Sequence, residues 1–331
     1  MPTDADPIAP PPAAPAVPTA RARIQTGLAT AGMLPVLIAL CLVFSVANGR
    51  FATLQNAIVI LQQTSVNLVL ACGMTFVILT GGIDLSVGAI LAAAAMAGLI
   101  VSLDPSIAIF AIPAALAVGA GFGLLNGILI AGIRLPPFIV TLGGLTAIRG
   151  VARLMGGDRT VFNSDLPYAV IGNDSIWGIP WLVIIALSVV LMSWFVLRRT
   201  VFGRYVYAIG GNAEAARLAG IKVGFILVLV YGLSGILAGL GGVMASARLF
   251  AANGQQLGMM YELDAVAAVI LGGASLFGGA GSVWGTVVGA LIIGVLTNGL
   301  ILVGVSDVWQ FITKGLIIIA AVALDRFRNR R

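Results

Sequence analysis

The chain lacks histidine and carries few charged residues. None of its 331 residues is His, and Asp, Glu, Lys and Arg together make up only 9%. The absence of His excludes His-ligated metal sites, His-activated nucleophiles and His proton relays. A soluble domain carries about 25% charged residues, whereas 60% of this chain is hydrophobic. We therefore predict an all-α polytopic membrane protein, because lipid must surround this much apolar surface.

Cysteine and lysine are also scarce. Cys41 and Cys72 both lie in apolar runs, and the chain has no CxxC pair or disulfide framework. A P-loop requires the motif GxxxxGK[ST], and neither lysine, Lys222 or Lys314, stands in that motif. We therefore expect no catalytic residue, no metal and no cofactor on this chain, and no ATP hydrolysis by a P-loop of its own.

Long apolar runs predict about ten transmembrane helices. The runs lie at about 28–46, 54–80, 85–103, 106–131, 138–155, 180–197, 223–247, 264–279, 283–304 and 309–324. Such runs can cross about 30 Å of hydrocarbon as helices. The run at 54–80 contains several polar residues, so it is either one span or a short helix followed by a span.

The positive charges indicate the orientation of these spans. With a cytoplasmic N-terminus, twelve of the 18 Lys and Arg face the cytoplasm, namely Arg21, Arg23, Arg134, Arg198, Arg199, Arg204, Arg217, Lys222, Arg326, Arg328, Arg330 and Arg331. Only Arg50, Arg159 and Arg248 lie in outer loops. This asymmetry follows the positive-inside rule, so we predict that both termini are cytoplasmic. The net charge of +6 reports this orientation, and we expect no nucleic-acid partner.

Composition divides the chain into three segments. Residues 1–24, rich in Pro and Ala, predict a disordered cytoplasmic tail. Residues 25–325 form the predicted transmembrane domain, and 326–331 a basic cytoplasmic tail. Within the membrane domain, the inner loop 198–222 is strongly basic, whereas the outer loop at about 156–179 is slightly acidic.

The basic inner loop contains a short helix signal, GNAEAARLAGI. Asn212 is a candidate N-cap, Glu214 lies in the first turn, and Gly220 terminates the helix. A short rigid helix on the cytoplasmic face can be displaced as a unit by a partner. The alternative interpretation is a solvated loop helix.

Several motifs in order resemble the permease subunits of ribose/xylose/arabinose-type ABC importers. EAARLAG is similar to the EAA---G loop by which such permeases dock on their ATPase, and LTGGIDLSVGA resembles a sugar-permease signature. The resemblance continues through 203–221 and 261–273, and it covers about residues 50–325. One departure is Ala280, where relatives commonly have a basic residue.

The resemblance implies an ATP-driven importer of a monosaccharide or similar polyol that works by alternating access in the bacterial cytoplasmic (inner) membrane. It implies a cytoplasmic ABC ATPase that carries ATP and Mg²⁺, an extracytoplasmic sugar-binding protein and a second permease subunit, usually as a homodimer. The candidate ATPase-coupling residues are Gly203, Arg204, Asn212, Glu214, Ala215, Ala216, Arg217 and Gly220.

The sugar-permease signature also interrupts an apolar stretch with two glycines and an aspartate. One interpretation is a turn, in which Gly81 or Gly82 ends one span and Asp84 or Ser86 caps the next. The other is a broken helix that lines the pathway. The candidate pathway or gate residues are Gln63, Asn67, Gly81, Gly82, Asp84, Ser86 and Asn298. A second Gly-rich break is loosely similar, with VILGGA at 269–274 against VILTGG at 77–82.

Two other function classes remain open. An ion-coupled secondary carrier would need no ATPase and would depend on a carboxylate such as Asp84 or Asp264. A related permease could carry a nucleoside, an autoinducer or a branched-chain amino acid, although the IDLSVG signature favours the sugar branch. Arg149 and Arg153 lie four residues apart on one helix face, and we expect both to snorkel to the outer interface.

Overall fold

A computed structural model describes residues 33–328 as a bundle of helices. In chain order the helices are α1 Leu34–Ala47, α2 Leu54–Leu79, α3 Val87–Ser102, α4 Ala111–Gly132, α5 Pro137–Met155, α6 Val170–Asn173, α7 Trp181–Arg199, α8 Val201–Gly211, α9 Ala213–Leu218, α10 Val223–Leu249, α11 Tyr261–Leu271, α12 Val283–Leu302 and α13 Asp307–Arg328. The predicted tail at 1–24 lies outside the described residues, as do residues 329–331 of the basic tail.

Two short antiparallel ribbons lie on the predicted outer side. Strand β1 (Thr160–Phe162) pairs with β4 (Ala251–Asn253), and β2 (Ser175–Ile176) pairs with β3 (Ile179–Pro180). The first ribbon joins the outer loop before α6 to the segment that follows α10.

Six helices of the described part are long and apolar enough to cross a membrane, namely α2, α4 with the 3-10 turn before it, α5, α7, α10 and α12. Helices α1 and α3 are apolar but shorter, with 14 and 16 residues. The structure therefore has the mostly helical, polytopic architecture that composition predicts. It also shows the run at 54–80 as the single 26-residue helix α2.

Small residues bring the central helices into close contact. Helices α4 and α10 pack backbone to backbone, because a Cβ added at Gly119, Gly123 or Gly235 would collide with the main chain of the other helix. Helix α3, rich in Ala, is buried along nearly its whole length between its neighbours. Association through small residues is typical of membrane helices, which cannot rely on the hydrophobic effect.

The predicted run at 264–279 does not form a full span. Helix α11 has 11 residues, so it extends about 16 Å, roughly half of the 30 Å hydrocarbon core. The chain turns at Gly273, whose φ is +86°, and continues as a glycine-rich loop to Ser282. The expected C-terminal boundary of this run was wrong because apolar composition continues past the glycines that end the helix.

The segment before α11, residues 254–260, enters the bundle from the predicted outer side. Gly254 packs against the backbone of Ala152 near the end of α5, and Gly258 against that of Gly88 near the start of α3. Non-helical backbone at such depth is tolerated where protein surrounds it. Helix α11 therefore starts inside the bundle rather than at its surface.

Candidate functional site: an exposed helix and a buried polar centre

Helix α9 forms as the sequence predicts. Asn212 Oδ1 accepts a hydrogen bond from Ala215 N at 2.9 Å, which satisfies one of the free amides of the first turn. Gly220 follows the helix with a φ of +85°. Glu214 and Arg217 form an ion pair at 2.9 Å on the surface, where such pairs add little stability.

Nearly all of α9 is available for contact. Ala216 is its only buried residue, whereas Ala215 is exposed and the Leu218 side chain is 81% exposed. Exposed cations flank the helix in sequence at Arg198, Arg199, Arg204 and Lys222, and Arg217 lies on the helix itself. Sequence reasoning missed Leu218, although an apolar residue inside a charged inner loop was a visible signal. The arrangement gives an apolar contact point within a cationic face.

The predicted coupling residues of α8 have different environments. Gly203 is buried in the corner between α7 and α8, where a Cβ would collide with the carbonyl oxygens of Val196 and Leu197. Gly203 therefore permits the sharp corner. Arg204 is exposed beside it.

Asp84 is fully buried, and the donors that the described residues offer to its carboxylate are all neutral. Its Oδ1 accepts from Ser86 N at 3.0 Å and Ser86 Oγ at 2.6 Å, and its Oδ2 from Ser234 Oγ at 3.2 Å. Asn126 Nδ2 donates in turn to Ser86 Oγ at 2.8 Å. The carboxylate thus closes a tight turn onto Ser86, the residue before α3, and binds α10 directly and α4 through Ser86.

Helix α10 contributes two polar residues that sequence reasoning missed. Ser234 binds Asp84, and the fully buried Tyr231 carries a hydroxyl without a hydrogen-bond partner among the described residues. Gly82 packs onto this hydroxyl, since a Cβ there would collide with it. Two polar residues three apart in an apolar helix share a face, and this spacing was the available signal.

The remaining predicted pathway residues lie away from this turn, with Gln63 and Asn67 on α2 and Asn298 on α12. Asn298 accepts from Asn56 Nδ2 at 3.0 Å near the start of α2. Asn67 is buried one turn after Gln63, and its Oδ1 has no partner within residues 33–328. About 18 Å of helix separates Asn67 from Leu79. The structure therefore does not bring the predicted set together at one position.

Arg149 points into the bundle, so the expectation that it snorkels outward was wrong. Its guanidinium donates to the carbonyl oxygens of Gly254 and Leu257 and fixes the segment that enters before α11. A buried carbonyl oxygen without a hydrogen bond is costly, and the guanidinium of Arg149 satisfies two of them. Arg153, in contrast, pairs with the exposed Asp158 at 2.7 Å.

The first turn of α11 carries two buried carboxylates. Asp264 Oδ2 accepts from Lys314 Nζ of α13 at 2.9 Å, with both side chains largely buried. Glu262 Oε2 has no hydrogen-bond partner in the described part of the chain and packs onto Gly88. The described residues contain no group of three His, Cys, Asp or Glu that could hold a metal ion.

Comparison with known proteins identifies the family. The family described as "Branched-chain amino acid transport system / permease component" matches residues 56–322. The ribose import permease protein RbsC of Escherichia coli (strain K12) is 45% identical over 295 residues, which cover 87% of this chain and 91% of that protein. RbsC of Bacillus subtilis (strain 168) is 44% identical over 298 residues, with 88% and 91% covered.

The D-allose transport system permease protein AlsC of Escherichia coli (strain K12) is 40% identical over 289 residues, with 86% of this chain and 88% of that protein covered. No solved structure matches the chain. The similarity extends across most of the sequence and confirms the resemblance drawn from the motifs. The chain belongs to the family of branched-chain amino acid transport-type permease components.

Proposed function

We propose that this chain is the membrane-spanning subunit of an ATP-driven sugar importer in the bacterial inner membrane. The observation that carries the proposal is helix α9, which contains most of the EAARLAG motif. This helix is capped at both ends and is exposed along almost its whole length. A cytoplasmic ABC ATPase would bind α9. Leu218 would provide an apolar contact, and the neighbouring cations would attract acidic groups of the ATPase. The importer relatives named for ribose and D-allose support a monosaccharide as cargo.

The finer architecture follows from this function. The chain crosses the membrane about ten times, because α1, α3 and α13 add to the six long helices and one further crossing combines the entering segment 254–260 with the short helix α11. Both termini are cytoplasmic. Two copies form a homodimer around one pathway, and a sugar-binding protein delivers cargo to the outer face. ATP and Mg²⁺ bind only to the ATPase.

The inner end of the pathway is closed by the turn that contains Gly81, Gly82, Asp84 and Ser86. In the present conformation Asp84 is buried, so this gate opens only when the turn moves away from Ser234 of α10 and Asn126 of α4. Gln63, Asn67 and Asn298 offer neutral hydrogen-bonding groups to a sugar further out.

Co-purification tests the proposal. The wild-type chain, tagged and gently extracted from native membranes, should retain an ATPase with a Walker motif, identified by mass spectrometry. Glu214→Arg and Leu218→Glu should lose it, whereas Asp165→Arg, a charge change on the predicted outer side, should keep it.

Two results would contradict the proposal. One is recovery of the chain alone, under conditions that keep a known importer complex intact. The other is sugar uptake that persists without ATP and is abolished by Asp264→Asn, which would indicate an ion-coupled carrier.

A further inference from the structure

Three backbone segments touch one another where α8 leads into α9. Gly210 is the penultimate residue of α8. A Cβ at this position would collide with the carbonyl oxygen of Leu79, at the end of α2, and with the amide nitrogen of Gly279, in the loop between α11 and α12. The last two are themselves joined, because Gly279 N donates to Leu79 O at 3.0 Å. No side chain lies between the three segments.

Further contacts hold α8 against the same two neighbours. A Cβ at Gly278 would lie 2.9 Å from Gly210 Cα and 2.9 Å from Gly81 N. Tyr207 Oη donates to Gly281 O at 2.9 Å, and burial raises the pKa of this hydroxyl, which keeps it a neutral donor. On the other side, the rings of Phe202 and Phe76 lie 6.2 Å apart. Helix α8 is thus bound to the end of α2 and to the 272–282 loop.

We propose that the junction at Gly210 transmits displacement of α9 to both helix breaks, with Gly210 as a positioning residue for coupled transport. The inference rests on the proposed function, since an ATPase must displace α9. Contact between backbones cannot be absorbed by a change of side-chain rotamer, and close-packed interiors transmit strain. Helix α9 follows Gly210 after two residues, so α8 and α9 move together.

The junction reaches the starts of two helices at once. Leu79 leads through Gly81 to Asp84, which binds the amide of Ser86 directly before α3. Gly279 leads to Ser282, whose side chain caps α12 through Gly285 N at 3.1 Å. A displacement of α8 by the ATPase therefore shifts α3 and α12 together, which a gate built from both breaks requires.

Adjacent glycines provide a matched test. Gly210 and Gly211 both lie in α8 with ordinary φ angles, but a Cβ at Gly211 meets nothing within 4 Å. Each variant is assembled with the ATPase and the sugar-binding protein in proteoliposomes, and ATP hydrolysis and ribose uptake are measured in the same vesicles. For Gly210→Ala we expect ATP hydrolysis near the wild-type level and uptake per ATP reduced about tenfold. Gly211→Ala should keep the wild-type ratio.

A second variant tests the proposed role of the junction if Gly210→Ala does not assemble with the ATPase. Tyr207→Phe removes the hydrogen bond to Gly281 without adding volume, and it should lower uptake per ATP with an unchanged unfolding temperature and unchanged ATPase binding. A merely structural role would lower stability or assembly and leave the ratio intact.

The proposal is overturned if every variant that assembles keeps the wild-type ratio of uptake to hydrolysis. Failure of the proposed function looks different, because then the wild-type chain and Gly211→Ala also bind no ATPase and show no ATP-dependent uptake.

Discussion

The helix ends at Gly81 and Gly273 are built from the same hydrogen bonds. After α2, Gly81 N donates to Ile78 O at 2.8 Å, and the next amide, of Gly82, reaches back five residues. After α11, Gly273 N donates to Ile270 O at 2.8 Å, and the next amide again reaches back five residues. The two glycines have φ angles of +81° and +86°. Both ends are Schellman-type caps, in which glycine adopts the left-handed conformation without strain.

Beyond the caps the two breaks differ. The first continues into the buried Asp84, which Ser86 and Ser234 bind through side-chain hydrogen bonds. The second continues into a loop with the exposed Phe277 and Ala280, held against α8 by close backbone contact. The same cap therefore serves one break that a polar network anchors inside the bundle and one whose loop is buried at Ala274 and Ser275 but exposed at Phe277 and Ala280. Local stability varies with such burial, so we expect the second break to move more readily.

The largest effect should come from the ion pair that holds α11, the helix before the second break. Lys314→Met leaves Asp264 as a buried charge without a partner, which costs about 3–5 kcal/mol of unfolding free energy. Asp264→Asn in the Lys314→Met background should restore most of this loss. Thermal unfolding in detergent measures both. Equal stability of the single and double variants would show that the ion pair between Asp264 and Lys314 does not anchor α11.

The next largest losses of stability should come from variants at the starts of α3 and α12. Asp84→Ala leaves three donors without their acceptor inside the bundle and should cost about 1–3 kcal/mol. Ser282→Ala removes an exposed cap and should cost about 1 kcal/mol. Unfolding temperatures of the two variants, with Ser106→Ala on an exposed loop as control, rank them. A larger loss of stability for Ser282→Ala than for Asp84→Ala would show that the first break is not the more firmly anchored of the two.

A smaller and equal effect is expected at the two glycines. Gly81→Ala and Gly273→Ala each force a side chain into the left-handed region, at a cost of about 1–2 kcal/mol. Because the φ angles match, the two losses should agree within experimental error. Unequal losses of stability would mean that the two caps share their backbone geometry but not their contribution to stability.

Helix ends could be predicted because local chemistry determines them. The Asn212 cap, the stop at Gly220 and the turn at Gly81 all follow from residue types a few positions apart. The similarity of VILTGG to VILGGA was too short to establish a repeat, yet it marks the two equal caps. Fold class was likewise predictable, since composition alone requires a lipid environment.

The interior of the candidate site could not be predicted, because its partners are distant in sequence. Ser234 binds a carboxylate 150 residues away, and Lys314 one 50 residues away. The inward direction of Arg149 depends on the carbonyl groups of a segment whose depth only packing determines. Polar residues in apolar helices indicated that partners exist, but not which ones.

The smallest effect concerns the exposed side of the second break. The side chain of Ala280 is exposed, and the preceding residue, Gly279, packs against Gly210 and Gly211, which places Ala280 near the cationic face around α9. Ala280→Arg should leave stability within about 0.5 kcal/mol of wild type, since the side chain extends into solvent. If that face binds the ATPase through complementary charge, the variant should bind a few-fold more tightly at low salt, and the gain should fall as salt screens the charges.

Titration of detergent-solubilised chain with the ATPase at two salt concentrations measures this, and Ala280→Gln controls for side-chain size. A gain shared by the Gln variant would assign the effect to contact area rather than charge. No gain for either variant would place the second break outside the ATPase interface, and its displacement would then depend on the Gly210 junction alone.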